Sequence, residues 1–289
     1  MTRLLVVGGT GSLGREVVAA ALARGETVRA LVRKPDKAPA AWKGRVEVVA
    51  GDARDPAAVA NAMKDVERVF SCAGASVMPG LGLGWRGYGA VDTRINKALI
   101  DAAAEARVKR FIYVSVHHAP QLARVPYIAA HERVVDHLRA SPLDWAVVRP
   151  TGFFSAVRAY LDLARKGAIP EIGGGDARTN PIADEDLAKV CVEAVRSPDR
   201  RLEVSAGGPD VITRREIGDL AFAALGRTPK YRYVPVWLAR TGAMFLRPIH
   251  PRMSQVVSFI AALCAHDLVA PAVGTHRLSD DFTARARAV

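Results

Sequence analysis

Cysteine is scarce in this chain of 289 residues. Its three cysteines (Cys72, Cys191 and Cys264) are far apart, odd in number and do not have the spacing of a metal site. This usage is typical of a reducing compartment and argues against a disulfide framework. Long apolar runs are absent too, since none reaches the ~18 residues of a spanning helix and no signal peptide precedes the first apolar segment. We therefore expect a soluble, cytoplasmic protein with no transmembrane segment.

Acidic residues are outnumbered, with 29 Asp and Glu against 41 Lys and Arg and a formal net charge of +12. One interpretation is binding to nucleic acid or to an acidic membrane. The alternative is that arginines are scattered over solvated faces. The basic residues are spread along the whole chain, with no dense basic run and no patch interleaved with aromatic residues. This pattern favours scattered arginines and no nucleic-acid partner, and part of the excess would suit an anionic cofactor.

The first 35 residues have the pattern of a strand, a glycine-rich turn, a helix and a second strand. An apolar run at Leu4–Val7 is followed at once by Gly8, Gly11 and Gly14, then by apolar residues at helical spacing and a branched strand at Thr27–Val32. In this context the glycines allow a tight turn, a close approach of the backbone to a pyrophosphate, and close packing of helix on strand. The helix N-terminus offers unpaired N–H groups to the phosphates. The segment predicts dinucleotide binding.

The end of the second strand lacks the carboxylate that hydrogen-bonds the ribose of NAD. No acidic residue lies between Thr27 and Arg33, and Arg33 and Lys34 follow where a 2′-phosphate would lie. Arginine suits bidentate contact with phosphate. We therefore predict NADP(H) in preference to NAD(H); the alternative is a solvated basic loop.

Further strand patterns alternate with helical ones, which indicates an α/β fold with a doubly wound parallel sheet. The predicted strands are Val46–Ala50, Arg68–Ser71, Arg110–Ser115, Asp144–Arg149 and Leu202–Ser205. Asp55 and Asp184 are predicted helix N-caps, and Thr213 with Glu216 forms a capping box. Residues 75–89 contain five glycines and are expected either to lie over the site or to form a passive connection.

Six segments together carry a family resemblance: GGTGSLG, GDARD, the VSV strand end, Tyr127, ASPLDWAVVRPTGFF and VSAGGPDVITRREIGDLAFAALGRTPK. This set, over roughly residues 2–235, resembles the atypical short-chain dehydrogenase/reductases and within them the NmrA-like, NAD(P)-binding branch. The resemblance implies a Rossmann core at residues 1–150, with part of 180–206 packing back onto it. It also implies a smaller substrate-binding lobe with C-terminal helices at residues 151–289.

The resemblance also implies the roles of individual residues. The cofactor would be contacted by a set that surrounds the glycine turn and the strand ends: Gly8, Thr10, Gly11, Ser12, Leu13, Gly14, Arg33, Lys34, Asp52, Ala73 and Gly74. Arg33 would face the 2′-phosphate and Asp52 the adenine. A second set, Pro150, Thr151, Gly152 and Phe153, would line the same site toward the substrate. Ser115 and Tyr127 would lie near the nicotinamide as catalytic residues.

One position departs from the family pattern. Active members place a lysine four residues after the tyrosine, and here that residue is His131. Histidine is mostly neutral at neutral pH, so His131 would help less than lysine to ionise Tyr127, although it could still hydrogen-bond the ribose. The alternative is that His131 is an ordinary packed helix residue. Neither His117-His118 nor His131-Glu132 has the spacing of a zinc site, so no metal is expected.

Three functions fit these residues. The first is an NADPH-dependent oxidoreductase that reduces a carbonyl, quinone or activated double bond of a mostly apolar small molecule, with Tyr127, His131 and Ser115 at the reacting end. The second is a non-catalytic NADP(H)-binding regulator or assembly factor, which the missing lysine favours. The third is an enzyme resembling a nucleotide-sugar epimerase.

Overall fold

The computed structural model describes residues 3–74, 87–118 and 120–287. Its strands are β1 (Arg3–Val7), β2 (Thr27–Val32), β3 (Val46–Ala50), β4 (Arg68–Ser71), β5 (Arg110–Val114), β6 (Asp144–Pro150), β7 (Ile169–Ile172), β8 (Arg178–Thr179), β9 (Arg201–Ala206), β10 (Ile212–Thr213) and β11 (Tyr231–Val234). Its helices are α1 (Ser12–Ala23), α2 (Pro56–Ala62), α3 (Arg94–Glu105), α4 (Pro126–Ala140), α5 (Phe154–Val157), α6 (Ala159–Arg165), α7 (Asp184–Arg196), α8 (Arg214–Ala224), α9 (Val236–Ile249), α10 (Pro251–Ala265) and α11 (Leu278–Arg287).

A seven-stranded sheet in the order β3-β2-β1-β4-β5-β6-β9 forms the centre of the described chain. Every neighbouring pair in it runs parallel. Helices cover both faces, which explains why the strands are apolar runs rather than alternating ones. In β1, Leu4 and Val6 belong to the core beneath α1 and α7, while Leu5 and Val7 belong to the core beneath α2, α3 and α4. The predicted doubly wound, Rossmann-type sheet is confirmed.

The order in which strands are added to the sheet reverses at β1. This strand pairs with β2 on one side and with β4 on the other, so the chain builds outward in both directions from it. Ligands of open parallel sheets bind outside the carboxyl ends of the strands at such a switch point. The glycine turn after Val7 and the segment after Ser71 both leave the sheet there.

The residues after β6 build a second core beside the sheet. Phe154, Phe222 and Phe282 lie at its centre, contributed by α5, α8 and α11. The small pairs β7–β11 and β8–β10 flank it. Within the same stretch, α7 packs against α1 and β9 joins the main sheet beside β6. The division of the chain at residue 150 stays a prediction.

Two predicted helix caps are confirmed and one is wrong. The Asp55 carboxylate accepts from the Ala57 N–H, and Thr213 and Glu216 form the capping box. Asp184 is not a cap, because it is the first residue of α7 and Ala183 occupies the cap position. Its carboxylate instead accepts from the N–H and hydroxyl of Ser155, at 2.9 and 2.6 Å. In the glycine-rich segment predicted at 75–89, residues 75–86 lie outside the described residues.

Candidate cofactor and active site

The turn between β1 and α1 can be built only with glycine at two positions. Gly8 has a φ of +89°, and a Cβ atom there would lie 2.9 Å from the Cys72 carbonyl carbon and oxygen. A Cβ atom on Gly14 would lie 2.2 Å from the Gly8 carbonyl oxygen. The first glycine therefore supplies a backbone conformation that other residues rarely adopt, and the second lets α1 approach the turn.

The N-terminus of α1 is open toward the carboxyl ends of the strands. Gly11 precedes the helix without a side-chain cap, and the first turn contains no acidic residue. The first N–H groups of a helix have no intrahelical acceptor and carry the positive end of its dipole. A diphosphate would satisfy both requirements at this point.

A cleft of about 310 Å³ opens above this turn. Eleven of the predicted site residues line it: Gly8, Gly11, Ser12, Leu13, Gly14, Ala73, Gly74, Ser115, Tyr127, His131 and Phe153. Seven others do not line it: Thr10, Arg33, Lys34, Asp52, Pro150, Thr151 and Gly152. The cleft also contains residues that were not predicted to form the site: Cys72, Asp92, Val114, Ser155 and Ala156. The cleft therefore joins the glycine turn to the predicted catalytic residues.

The charged residues that were predicted to contact the cofactor beyond β2 and β3 lie outside the lining of this cleft. Arg33 and Lys34 are exposed, and Asp52 is paired with Arg54 through Nε–Oδ1 and Nη2–Oδ2 contacts of 3.0 and 2.6 Å. Hydrogen bonding by Arg54, with a smaller contribution from the charge of Arg33, lowers the pKa of Asp52 to about 2. Asp52 is therefore an ionised partner of Arg54, a cation that the sequence analysis missed.

Of the predicted residues Pro150, Thr151, Gly152 and Phe153, only Phe153 reaches the cleft. The carbonyls of Pro150 and Gly152 accept backbone N–H groups from neighbouring segments at 2.9 Å. The buried Thr151 hydroxyl donates to the Asn180 carbonyl at 2.7 Å. The first three residues of this predicted set thus hold the segment in place, and only Phe153 presents a side chain to the cleft.

Tyr127 is enclosed by three rings. Its ring centroid lies 4.4 to 4.8 Å from those of Phe259, His131 and Tyr88. Burial, followed by the charge of Asp92, raises the pKa of Tyr127 well above its usual value near 10. Tyr127 is therefore a neutral phenol at physiological pH and is suited to donate a hydrogen bond or a proton.

His131 is packed and hydrogen-bonded, and it lines the cleft at the same time. Its Nδ1 lies 2.7 Å from the buried Tyr113 hydroxyl, a partner that the sequence analysis did not identify. Burial lowers the pKa of His131 to about 4. The histidine is consequently neutral and does not supply the fixed positive charge of the family lysine. Its Nε2 is buried without a hydrogen-bond partner among the described residues.

The start of α3 and the turn before it support Ala73 and Gly74 through Asn96. Residues Gly89–Thr93 form a π-helical turn that leads into α3, a local geometry that is frequent at functional sites. In α3, Asn96 donates from Nδ2 to the carbonyls of Ala73 and Asp92, at 2.9 and 2.8 Å, and accepts from the Ser71 hydroxyl. The buried Asn96 was not predicted, although a polar residue on the apolar face of a helix is a usable signal.

Ser115 belongs to an ionic network at the ends of β5 and β6. Its hydroxyl lies 3.4 Å from Glu132 Oε1, which also accepts from Arg149 Nη1 at 2.6 Å. Burial would raise the pKa of Glu132, but hydrogen bonds from His118 and Arg149 lower it to about 2. Arg149 also contacts Glu203, so this network fixes Ser115 at the edge of the cleft. Residues 3–74, 87–118 and 120–287 contain no group of three or more His, Cys, Asp or Glu that could hold a metal ion.

These features define a protein that binds NAD(P) at a Rossmann switch point. The profile of the NAD(P)H-binding family matches residues 8–198, which is well over half of the chain, so the chain belongs to this family. The resemblance to the atypical short-chain dehydrogenase/reductases, an NAD(P)-binding oxidoreductase family, is thereby confirmed.

Three relatives illustrate the range of the family. The chain is 30% identical to the chloroplastic divinyl chlorophyllide a 8-vinyl-reductase of Zea mays over 81% of its own length, but it spans only 62% of that protein. It is 30% identical to the (4-alkanoyl-5-oxo-2,5-dihydrofuran-3-yl)methyl phosphate reductase of Streptomyces griseus, covering 85% of this chain and 82% of the relative. It is 27% identical to the photosystem II assembly factor Ycf39 of Trieres chinensis, covering 82% and 73%.

Two solved structures share the fold over nearly the whole chain. The triphenylmethane reductase of Citrobacter sp., in complex with NADP(H), superposes with a TM-score of 0.74 at 17% identity, covering 98% of this chain and 99% of that one. The NADPH-dependent quinone oxidoreductase of Escherichia coli, complexed with NADPH, gives 0.72 at 17% identity and the same coverage. In the described residues no helix has both the length and the apolarity needed to cross a bilayer.

Proposed function

We propose that this protein is an NADPH-dependent reductase that acts on a carbonyl, quinone or activated double bond of a mostly apolar small molecule. The observation that carries the proposal is a neutral, partly buried phenol at Tyr127 in the same cleft as the glycine turn. The relatives that are named as reductases support it. The three free thiols suit a reducing cytoplasm.

The residues at the turn fit a dinucleotide. Gly8 and Gly14 leave no room for a Cβ atom beside the carbonyl groups of Cys72 and Gly8, and the N-terminus of α1 offers unpaired donors. Arg33 and Arg54 lie beyond β2 and β3, so a 2′-phosphate would meet two guanidinium groups there. We therefore assign NADP(H) rather than NAD(H). When it is bound, this cofactor supplies a hydride.

Tyr127 favours the direction of reduction. A phenol whose pKa is raised stays protonated, so it can donate a proton to the acceptor oxygen as negative charge develops there. Oxidation would instead need a tyrosinate as base, and the neutral His131 does not stabilise one. The proton lost by Tyr127 returns from solvent. Ser115, fixed by Glu132, lines the same cleft and would orient the acceptor.

His131 would contact the cofactor through Nε2. Tyr113 occupies Nδ1, and Nε2 is buried without a partner among the described residues. A ribose hydroxyl can donate and accept, so it satisfies Nε2 in either tautomer of the imidazole. Thus the ribose contact of the family lysine would be kept, while its positive charge is lost.

A second candidate function is a regulator or assembly factor that binds NADP(H) without turnover. The neutral His131 in place of lysine favours it, and Ycf39, an assembly factor, is among the relatives. The two functions share the cofactor site and differ only in whether a proton and a hydride reach an acceptor.

The test is NADPH oxidation with a panel of quinones, enones and aldehydes, comparing the native protein with Tyr127→Phe. We expect turnover of at least one class, a loss of about a hundredfold or more in kcat for Tyr127→Phe, and unchanged NADPH affinity. Tyr233→Phe is the matched control because Tyr233 is exposed. His131→Lys is expected to raise the rate if the missing charge limits it.

The outcomes separate the candidates. Tight NADPH binding with no turnover across the panel would favour the regulator. Equal rates for native protein and Tyr127→Phe would remove Tyr127 from the mechanism. If the native protein does not bind NADPH, both functions are wrong.

A further inference from the structure

Helix α9 presents an apolar face to solvent. Its five large exposed apolar side chains are Trp237, Leu238, Met244, Phe245 and Ile249, each 48 to 67% exposed. Spacings of one, four, seven, eight and twelve residues place them along one side of the helix. We call this set the α9 stripe. Exposed apolar residues are normal when they are scattered singly, but a contiguous set of this size marks an interaction site.

The opposite side of α9 is already occupied. Ala239 and Ala243 are buried, and α9 packs there against α10. On its own inner side α10 packs against α4, where Phe259 contacts Tyr127 with ring centroids 4.4 Å apart. The α9 stripe is therefore an outer surface, separated from the candidate active site by one helix.

The charge of this region has one sign. Between Asp219 and Asp267 the sequence contains no Asp or Glu, and it contains six basic residues: Arg227, Lys230, Arg232, Arg240, Arg247 and Arg252. These six are half of the formal net charge of +12. Arg240 and Arg247 are exposed on α9 itself. Because they are seven residues apart, they lie on one face and flank the stripe on the same side.

We propose that the α9 stripe docks in the plane of an anionic lipid bilayer. A helix with aromatic and aliphatic side chains on one face and arginines beside them is suited to the headgroup boundary, where its apolar face is buried and its cations meet lipid phosphates. With 14 residues, α9 is too short to cross the hydrocarbon core, which takes ~20. An exposed tryptophan near the start of the helix suits the same interface. This proposal does not depend on the reductase activity.

The experiment is co-sedimentation of the full chain with two kinds of vesicle, phosphatidylcholine alone and equal parts phosphatidylcholine and phosphatidylglycerol. We expect binding to the anionic vesicles that weakens with added salt. Trp237→Ser with Phe245→Ser should reduce the partition coefficient by about tenfold or more. Arg240→Gln with Arg247→Gln should reduce it by about fivefold for each arginine, but only with the anionic vesicles.

Matched controls separate docking from general charge and from misfolding. Lys43→Gln with Arg45→Gln removes the same charge at exposed positions before β3, the opposite edge of the sheet from β9, and should leave binding unchanged. The stripe variant should keep native circular dichroism and native NADPH affinity. Trp237→Leu should keep vesicle binding while the lipid-induced shift in tryptophan fluorescence is lost.

Three results would overturn the proposal. One is that the native protein does not bind anionic vesicles. Another is that it binds them equally well with the stripe variant. The third is sedimentation of the lipid-free native protein as a dimer that the stripe variant dissociates, because the occupant of the stripe would then be a second copy of the chain.

Discussion

His131 occupies the position at which related active proteins have a lysine, and it can keep one role of that lysine without the other. A lysine would offer both a hydrogen bond and a fixed charge, whereas a buried imidazole offers only the hydrogen bond. The sequence left its role open between a ribose contact and ordinary packing. The structure explains the ambiguity, since Nδ1 is held by Tyr113 inside the core while the ring also lines the cleft. A pairing between a strand residue and a helix residue 18 positions later has no local sequence signal.

The neutral state of His131 predicts a pH dependence of stability. Its pKa is about 4 in the folded protein and ~6.5 when unfolded, so between these values only the unfolded chain binds the proton, and the free energy of unfolding falls as the pH falls. The contribution of His131 should decrease by about 2 kcal/mol from about pH 7 to about pH 5. His131→Gln should lack this component.

Urea denaturation at both pH values measures the contribution of His131, as the difference in the free energy of unfolding between the native protein and His131→Gln. Glu132 and Asp186 have lowered pKa values, so their contributions to the free energy of unfolding are lost only in more acidic solution. These contributions are the same in the native protein and in the variant. The same pH dependence in both proteins would show that His131 is not held neutral.

Arg33 predicts a selective effect on cofactor preference. We expect Arg33→Ala to weaken NADPH binding about tenfold to a hundredfold, the loss of a charge-assisted hydrogen bond, and to leave NADH almost unchanged. Titration of protein fluorescence with each cofactor measures this. Lys37→Ala is the control, since Lys37 is another exposed cation four residues later. Equal losses for both cofactors would mean that Arg33 does not read the 2′-phosphate.

At the scale of elements, local chemistry decided what could be predicted. The strand, turn and helix at the start of the chain follow from residues next to each other in sequence, and the steric limits on Gly8 and Gly14 explain why the motif is readable. The Asp55 cap depends on a donor two residues away. The Asp184 cap was wrong because Ser155, 29 residues earlier, binds the same carboxylate. Proline and aspartate patterns cannot report such a contact.

The cleft residues that could be predicted are also those whose position follows from their neighbours in the sequence. Residues that directly follow a strand, such as Ala73, Gly74 and Ser115, could be predicted because parallel strands bring their carboxyl ends together. Asp92 and Asn96 reach the site from the π-helical turn and the start of α3, and Arg149 through its pairing with Glu132. Their positions depend on tertiary packing. A sequence pattern can therefore indicate only that a polar residue lies on an apolar face, and not which group it contacts.

At the scale of the whole molecule, the acidic residues are distributed less evenly along the sequence than the basic residues, and this difference locates a basic region. Lys and Arg are spread along the chain, which favoured scattered solvated arginines. The uneven distribution of acids nevertheless leaves the sequence between Asp219 and Asp267 with six basic residues and no Asp or Glu. Joined with the α9 stripe, it gives the molecule one basic, apolar side, while the cofactor cleft opens at the carboxyl ends of the sheet strands.

The position of the C-terminal segment predicts the last effect. Asp186, almost fully buried in α7, accepts from the backbone N–H groups of Thr275 and His276 at 2.7 and 3.0 Å and from Lys189 at 2.9 Å. These bonds hold the chain that leads from α10 to α11 against the main sheet layer. Asp186→Asn turns an acceptor oxygen into a donor that faces other donors. We expect a loss of about 2 to 4 kcal/mol in the free energy of unfolding.

Denaturant unfolding measures this loss, and limited proteolysis should show earlier cleavage between α10 and α11 in the variant. Asp210→Asn is the control because the pair that Asp210 forms with Arg277, at 3.5 Å, is partly exposed, and such pairs contribute at most about 1 kcal/mol. If Asp186→Asn unfolds within about 0.5 kcal/mol of the native protein, as a surface substitution does, the bonds to Asp186 do not hold the segment. The segment would then be held by its other bonds, such as those of Asn180 with Ala270 and of Gly207 with Pro271 and Val273.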